Sequence, residues 1–265
     1  MSALLGLFKR EMIRQVRQPT RIVAAVATPA MIWVFFAAGF SGMTNLGVDA
    51  SMRVFLVPGV ASMTVLFASI FGAISLIQDR QDGFLRAALV SPAPRASIAG
   101  AKIAAGSLMA TLQGAIVLLT LPAIGHAVSV PGFLAAVGAL ACISAGLIGL
   151  GLTLAWRVDS TQGYHGVMNT ILMPMWLLSG SVFPIATAAG WLALIARFNP
   201  LTWGHEAMRH ALGMNPTSDP RIAWSVTIAA TVAGLLAGIS VIGRTGHPRS
   251  MTSKARHRKP APNTP

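Results

Sequence analysis

Charge is what this sequence has least of. Only 10% of its 265 residues are Asp, Glu, Lys or Arg, while 54% are hydrophobic; a soluble domain carries about 25% charged residues. Too few charges remain to cover the apolar surface of a water-soluble fold, so the composition points to lipid as the solvent. Cysteine is nearly absent too. Cys142 stands alone, which excludes an internal disulfide, and no Cys/His spacing resembles a zinc site. His205 and His210 are five apart, a spacing that does not share a helix face, and read as ordinary scattered histidines. No aromatic residues interleave with the basic ones, so the net charge of +13 does not describe a nucleic-acid surface. There is no Gly-x-x-x-x-Gly-Lys-(Ser/Thr) phosphate loop, which excludes ATP binding by that device.

What the chain does have is long apolar runs. A helix needs about 20 apolar residues to cross the hydrocarbon, and candidates lie at approximately 22–41, 55–77, 103–125, 133–156, 166–184 and 222–243. None contains Asp, Glu, Lys or Arg, and the ten-residue alternation of a β-barrel is missing. The first run is too long for the core of a signal peptide and is read as a retained span. The predicted fold is all-α and integral to the membrane, with six transmembrane helices. If it is so, both termini share one side with the second and fourth connectors. That side holds sixteen of the Lys and Arg residues and the other four, which predicts cytoplasmic termini.

Flanking segments carry their own patterns. Leu4, Phe8, Met12 and Val16 recur every four residues among Lys9, Arg10, Arg14 and Arg17, predicting an amphipathic interfacial helix over 1–21, ended near Pro19; a plain basic anchor is the simpler reading. After the fifth span, Trp191, Leu194, Ile195 and Phe198 follow helical spacing in a segment too short to cross, so it dips into the outer leaflet as a re-entrant helix. Asn199 then fits an N-cap with Pro200 at the first helical position and Gly213 past the end. Residues 244–265 are basic and Pro-rich, a disordered tail held near anionic lipid. These limits define the transmembrane domain as 22–243.

The most polar internal stretch is "DRQDGFLRAALVSPAPRASIAGAK", residues 79–102. Phe84, Leu85, Ala88 and Leu89 fall on one face of a helix predicted from Arg80 to Val90, stopped by Ser91 and Pro92, with Ser97 available to cap the next span. By itself this describes an interfacial helix resting on lipid. Gly83, Phe84, Leu85 and Arg86, then Leu89, Val90, Ser91 and Pro92, then Arg95 and Lys102, resemble the connector between the second and third spans of ABC-2 type exporter permeases. "STQGYHGVMNTILMPMWLLSGSVFP" resembles that family's fourth connector and fifth span, and "ARFNPLTWGHEAMRHAL", with Asn199, Pro200 and Arg209, its signature outside the membrane. The pattern departs at Gln81 and Ala87, where the family places acids, with Asp82 acidic beside them, and at Ala101, with Gly100 one position early.

The resemblance implies that the connector, with Asp82, Gly83, Phe84, Leu85, Arg86, Leu89, Pro92 and Arg95, is a coupling helix docking into a separate ABC ATPase subunit. That partner would bind the ATP and Mg; this chain would hold no cofactor and no metal and have no catalytic residue. It also implies a permease dimer, with itself or a related permease, lined by the first, second and fifth spans, exporting a substrate across a bacterial inner membrane. Met173, Pro174, Met175 and Trp176 are candidates for the path or gate in that picture and lipid-facing or core residues otherwise. Gly234-x-x-x-Gly238 and Ala145-x-x-x-Gly149 allow close helix contact, within the chain or between chains. An ion-coupled carrier is disfavoured by the uncharged spans. An intramembrane enzyme built on Ser179, Ser181 and His165 is disfavoured because, in the predicted topology, His165 falls across the bilayer from the serines.

Overall fold

The computed structural model describes residues 3–41, 50–185 and 188–244, and every regular element among them is a helix. In chain order these are α1 (Ala3–Val16), α2 (Pro19–Ser41), α3 (Ala50–Gln81), α4 (Phe84–Val90), α5 (Arg95–Leu118), α6 (Thr120–Ala123), α7 (Val130–Arg157), α8 (Thr161–Leu177), α9 (Gly190–Phe198), α10 (Pro200–Ala211) and α11 (Pro220–Arg244). The basic tail beyond Arg244 lies outside the described residues.

Side-chain caps fix several of the starts. Ser129 accepts from Gly132 N at 3.2 Å, Ser160 from Gly163 N at 3.0 Å and Asn199 from Leu201 N at 3.0 Å, each satisfying an orphan donor of a first turn. Among the described residues four helical stretches are long and apolar enough to cross a bilayer: Met52–Gln81, Arg95–Ala123, Val130–Arg157 and Pro220–Gly243. The described apolar stretch Pro19–Phe35 and the 17-residue α8 fall short of that measure. α8 differs from the expected run 166–184 at both ends. Ser160 starts it earlier, and it stops at Leu177 before a turn through Gly180, whose φ of 77° favours glycine.

α3 is the central helix, packed by α2, α5, α7, α8 and α10. The largest interface joins α7 to α11 and is made by glycines. A Cβ on Gly149 would fall into the backbone of Gly234, and one on Gly238 would meet Gly149 O at 2.8 Å. The Gly234-x-x-x-Gly238 motif is therefore spent on contact within the chain. α9 turns the other way: Trp191, Leu194, Ile195 and Phe198 are all exposed, an apolar stripe facing the surroundings.

Candidate functional site

The connector of residues 79–102 is where the sequence concentrates its internal charge, and the structure divides it differently from the expected helix 80–90. α3 runs on to Gln81, with Asp82 N still bonded to Gln78 O at 2.8 Å. Gly83 then breaks the helix at φ 78°, in the left-handed region that costs other residues about 1 kcal/mol or more, and α4 starts at Phe84. Ser91, extended at ψ 157° before Pro92, ends α4 while its hydroxyl donates to Ala88 O at 2.7 Å. Ser97 does not cap α5; Pro94 occupies the cap position and Arg95 opens the helix.

The apolar face of α4 points inward. Leu85 and Ala88 are buried and Phe84 and Leu89 partly so, whereas Asp82, Arg86, Ala87, Val90, Ser91 and Pro92 are exposed and Arg95 is half-buried. The apolar face is thus taken up within the chain: Leu85 packs into its own core, and the outer face is Arg86, Ala87 and Val90, the last 86% exposed.

Beneath α4 lies a cluster of buried charge that the sequence did not announce. Glu11 of α1, Asp79 of α3 and Lys102 of α5 are 2%, 0% and 3% exposed. Lys102 Nζ donates to Asp79 Oδ2, to Ser75 Oγ at 3.1 Å and to Glu11 Oε2 at 3.3 Å. Arg14 pairs with Glu11 and donates to Asp79 Oδ1 at 2.7 Å, and Arg10 donates to the same oxygen at 3.1 Å while lying 3.4 Å over the Phe84 ring. Three cations and two carboxylates thus join α1, α3, α4 and α5, and each buried charge has a partner, the condition under which burying it is tolerable. α1 is accordingly more than an interfacial anchor, because Glu11 is turned into the protein. Next to the cluster, Arg80 donates to the carbonyls of Ala155 at 3.1 Å and Trp156 at 2.9 Å and to Asp159 Oδ1 at 3.1 Å. A cation there answers the unpaired carbonyls at the end of α7 and ties α3 to the turn before α8.

A second polar centre surrounds α10. Thr202, His205, Glu206 and Arg209, at i, i+3, i+4 and i+7, are all buried, so this short helix turns a polar stripe inward. That spacing is visible in the sequence and was missed when His205 was read as scattered. His205 Nδ1 meets Ser181 Oγ at 3.1 Å, its Nε2 meets Ser62 Oγ, and Ser179 Oγ lies 2.6 Å from Ser181 Oγ. α10 is too short to span, and burial, with the Arg209 cation behind it, pushes the His205 imidazole down to about 3. Both ring nitrogens are taken by serines and no carboxylate among the described residues orients the ring, so among them the group lacks the third member of a nucleophilic triad. His165 is elsewhere, edge-on to Phe71 at 5.6 Å.

This centre holds the end of α8. Asn199 Nδ2 donates to Met175 O at 2.6 Å, Arg209 Nη2 to Gly180 O at 2.7 Å, and Trp176 Nε1 to Gly59 O at 2.9 Å. A Cβ on Gly59 would meet Ser181 O at 2.5 Å, so the two segments touch backbone to backbone. Trp176 is buried as an anchor, Met173 and Met175 are half-buried and Pro174 is exposed. The other face of α8 shows Gln162, Asn169 and Thr170 to the surroundings.

Comparison with known proteins agrees with this architecture. The protein is similar to the "Putative transport permease ycf38" of Cyanophora paradoxa, 25% identical over 214 residues covering 78% of this chain and 72% of the relative. The protein of the same name from Porphyra purpurea is 23% identical over 246 residues, 90% of this chain and 84% of the relative. The family model described as "ABC-2 type transporter" matches residues 2–212, from α1 through α10. The chain belongs to the ABC-2 type transporter family of membrane permeases.

Proposed function

We propose that this chain is the membrane-spanning permease subunit of an ATP-driven exporter, with six spans, cytoplasmic termini and a place in a bacterial inner membrane. A separate ATPase subunit binds ATP and Mg, and two permease chains, identical or related, form the path. α4 is the coupling helix. The observation that carries this reading is its double-sided build. The outer face with Arg86, Ala87 and Val90 is open to a partner, while the inner face is fastened to α1, α3 and α5 by Leu85, by Phe84 under Arg10 and by the Asp79–Lys102–Glu11 cluster. A push on such a helix reaches three others at once, and an unanchored interfacial helix transmits nothing.

The dimer is supported by α8. Asn169 is exposed in the apolar part of the helix, and a polar side chain facing hydrocarbon is costly unless another helix or a water-filled path covers it. Ion-coupled transport would need a carboxylate free to load and release. Among the described residues the buried acids are Glu11 and Asp79, both locked in ion pairs, and Glu206, whose Oε2 accepts from Thr217 N at 2.7 Å and Ser218 N at 3.0 Å. Purification from the native membrane tests the reading. A stoichiometric subunit with a phosphate loop should accompany this chain, and uphill transport by the chain alone, driven by a pH or sodium gradient, would refute it.

A further inference from the structure

Arg80 lies in the last turn of α3, and only Asp82 and Gly83 separate that helix from α4. Besides Ala155 O, Trp156 O and the Asp159 carboxylate, its guanidinium donates to Val158 O at 3.3 Å. The neighbouring Gln81 Nε2 donates to Asp159 O at 3.2 Å. Every residue from Ala155 to Asp159 except Arg157 is thereby bonded to the end of α3, and the next one, Ser160, caps α8. A short path thus runs from α4 through Gly83 and Arg80 to the first turn of α8. The other end of α8 is tied to α3 as well, where Trp176 Nε1 donates to Gly59 O at 2.9 Å. The two ties sit near opposite ends of α3, roughly 30 Å apart at about 1.5 Å per residue. Between them α8 buries Tyr164, Met168 and Leu172, while Gly166, Val167, Thr170 and Ile171 leave its outer face exposed.

The parts of the Arg80 tie differ in strength. Asp159 is 72% exposed, so its ion pair is screened by water and contributes little. The carbonyls at the end of α7 accept from a side chain only 22% exposed, whose planar fork reaches several acceptors at once, as a lysine ammonium on its flexible stem does not. We propose that Arg80 is a positioning residue that makes α4 and the start of α8 move as one body, so that displacement of the connector is delivered to α8. The delivery rests on the reading of α4 as the docking helix; the joining of α4 to α8 does not.

The joining is tested on the full-length chain in nanodiscs, without a partner. In a Cys142→Ser background, spin labels at Val90→Cys on α4 and Gln162→Cys on α8, both exposed positions, report the distance between the helices by pulsed electron resonance. Labels at Lys9→Cys and Val90→Cys give the control pair, since Arg10 and Phe84 fasten α1 to α4. The parent should show one narrow distance for each pair. Arg80→Gln should lose the narrow 90–162 distance and keep the 9–90 distance, a split that general unfolding does not produce. Asp159→Asn should resemble the parent, because the carbonyls remain. Arg80→Lys should fall between, and it replaces Arg80→Gln should that variant fail to fold. In complex with the ATPase subunit, Arg80→Gln should keep the parent rate of hydrolysis and lose roughly tenfold in solute moved per ATP, within the range for substitutions along a coupling route. A parent-like 90–162 distance in Arg80→Gln would overturn the link, and an equal loss in Asp159→Asn would overturn the part assigned to the carbonyls. A lost distance with parent-like transport would overturn the delivery. Failure of any ATPase subunit to join the chain would instead refute the driven reading, with the distances still deciding the link.

Discussion

The guanidinium carbon of Arg10 lies 3.4 Å from the centroid of the Phe84 ring, and the same side chain donates to Asp79. One residue of α1 thereby holds both the first residue of α4 and the end of α3. Replacing Arg10 with Gln removes a cation–π contact worth about 0.5–2 kcal/mol and one of several bonds to Asp79. The expected result is a modest fall in melting temperature and, if α4 couples to an ATPase subunit as proposed, a larger loss of transport per ATP hydrolysed, measured on the reconstituted complex. Arg10→Lys should keep most of the coupling, because the charge over the ring survives.

Asp79 and Lys102 are 23 residues apart, and Glu11 is 91 residues from Lys102, yet the three meet in the interior. Asp79→Asn or Lys102→Met alone leaves charge buried with too few partners and should destabilise by about 3–5 kcal/mol. The double variant Asp79→Asn/Lys102→Met should be less damaging than the sum of the two. A double-mutant cycle on thermal unfolding in detergent measures the difference, and strict additivity would show that the pair does not act as a unit.

Where the sequence was legible, the signal was local. Asn199 before Pro200, Gly213 beyond the helix and Pro92 after Ser91 each fix a neighbour's backbone, so α10 and the end of α4 could be read from the chain. The cluster of Glu11, Asp79 and Lys102 could not, because nothing local marks three charges on three helices as partners. The departures at Gln81 and Ala87 hid the same point: the acids serving Lys102 are Glu11 of α1 and Asp79, two residues before the end of α3. Nor does an amphipathic pattern say which side is protein. On α4 the apolar face lies inward as a globular rule requires, and on α9 it lies outward as a bilayer allows.

The glycine seam of α7 and α11 yields a contrast within one helix. Gly149→Ala would push a methyl group into the Gly234 backbone and should cost about 3 kcal/mol or more, since backbone cannot step aside as a side chain can. A Cβ on Gly138 meets nothing closer than Trp224 at 3.9 Å. Gly138→Ala should therefore be neutral or stabilise by up to about 1 kcal/mol through helix propensity. Melting temperatures of the two variants, side by side, check the packing directly.

His205 makes stability depend on pH. Its folded value, about 3, lies below the ordinary 6.5, so below 6.5 the unfolded chain takes up a proton that the folded chain refuses. The fold should lose stability as pH falls from about 6.5 towards 3, amounting to roughly 2 kcal/mol by pH 5 at about 1.4 kcal/mol per pH unit. His205→Gln can keep polar contact with Ser62 and Ser181 and should flatten this dependence while lowering stability at pH 7.5. Denaturant midpoints at pH 7.5 and 5 measure it; an unchanged slope in the variant would assign the dependence to another group.

The two faces of α4 separate folding from coupling. Leu85 is 3% exposed, and Leu85→Ala should cost about 2–5 kcal/mol by leaving a cavity against the chain's own core, with coupling lost only as the fold is lost. Val90 is 86% exposed and Arg86 lies on the same open side. Val90→Asp and Arg86→Glu should leave the stability of the isolated permease within about 0.5 kcal/mol of the parent, as surface changes do. If an ATPase subunit docks here, both should weaken its co-purification and uncouple hydrolysis from transport, because Arg86→Glu reverses a charge at the interface and Val90→Asp places a new one where an apolar side chain stood. Parent-like coupling in both variants would move the docking surface elsewhere, while the inward packing of Leu85 would still stand.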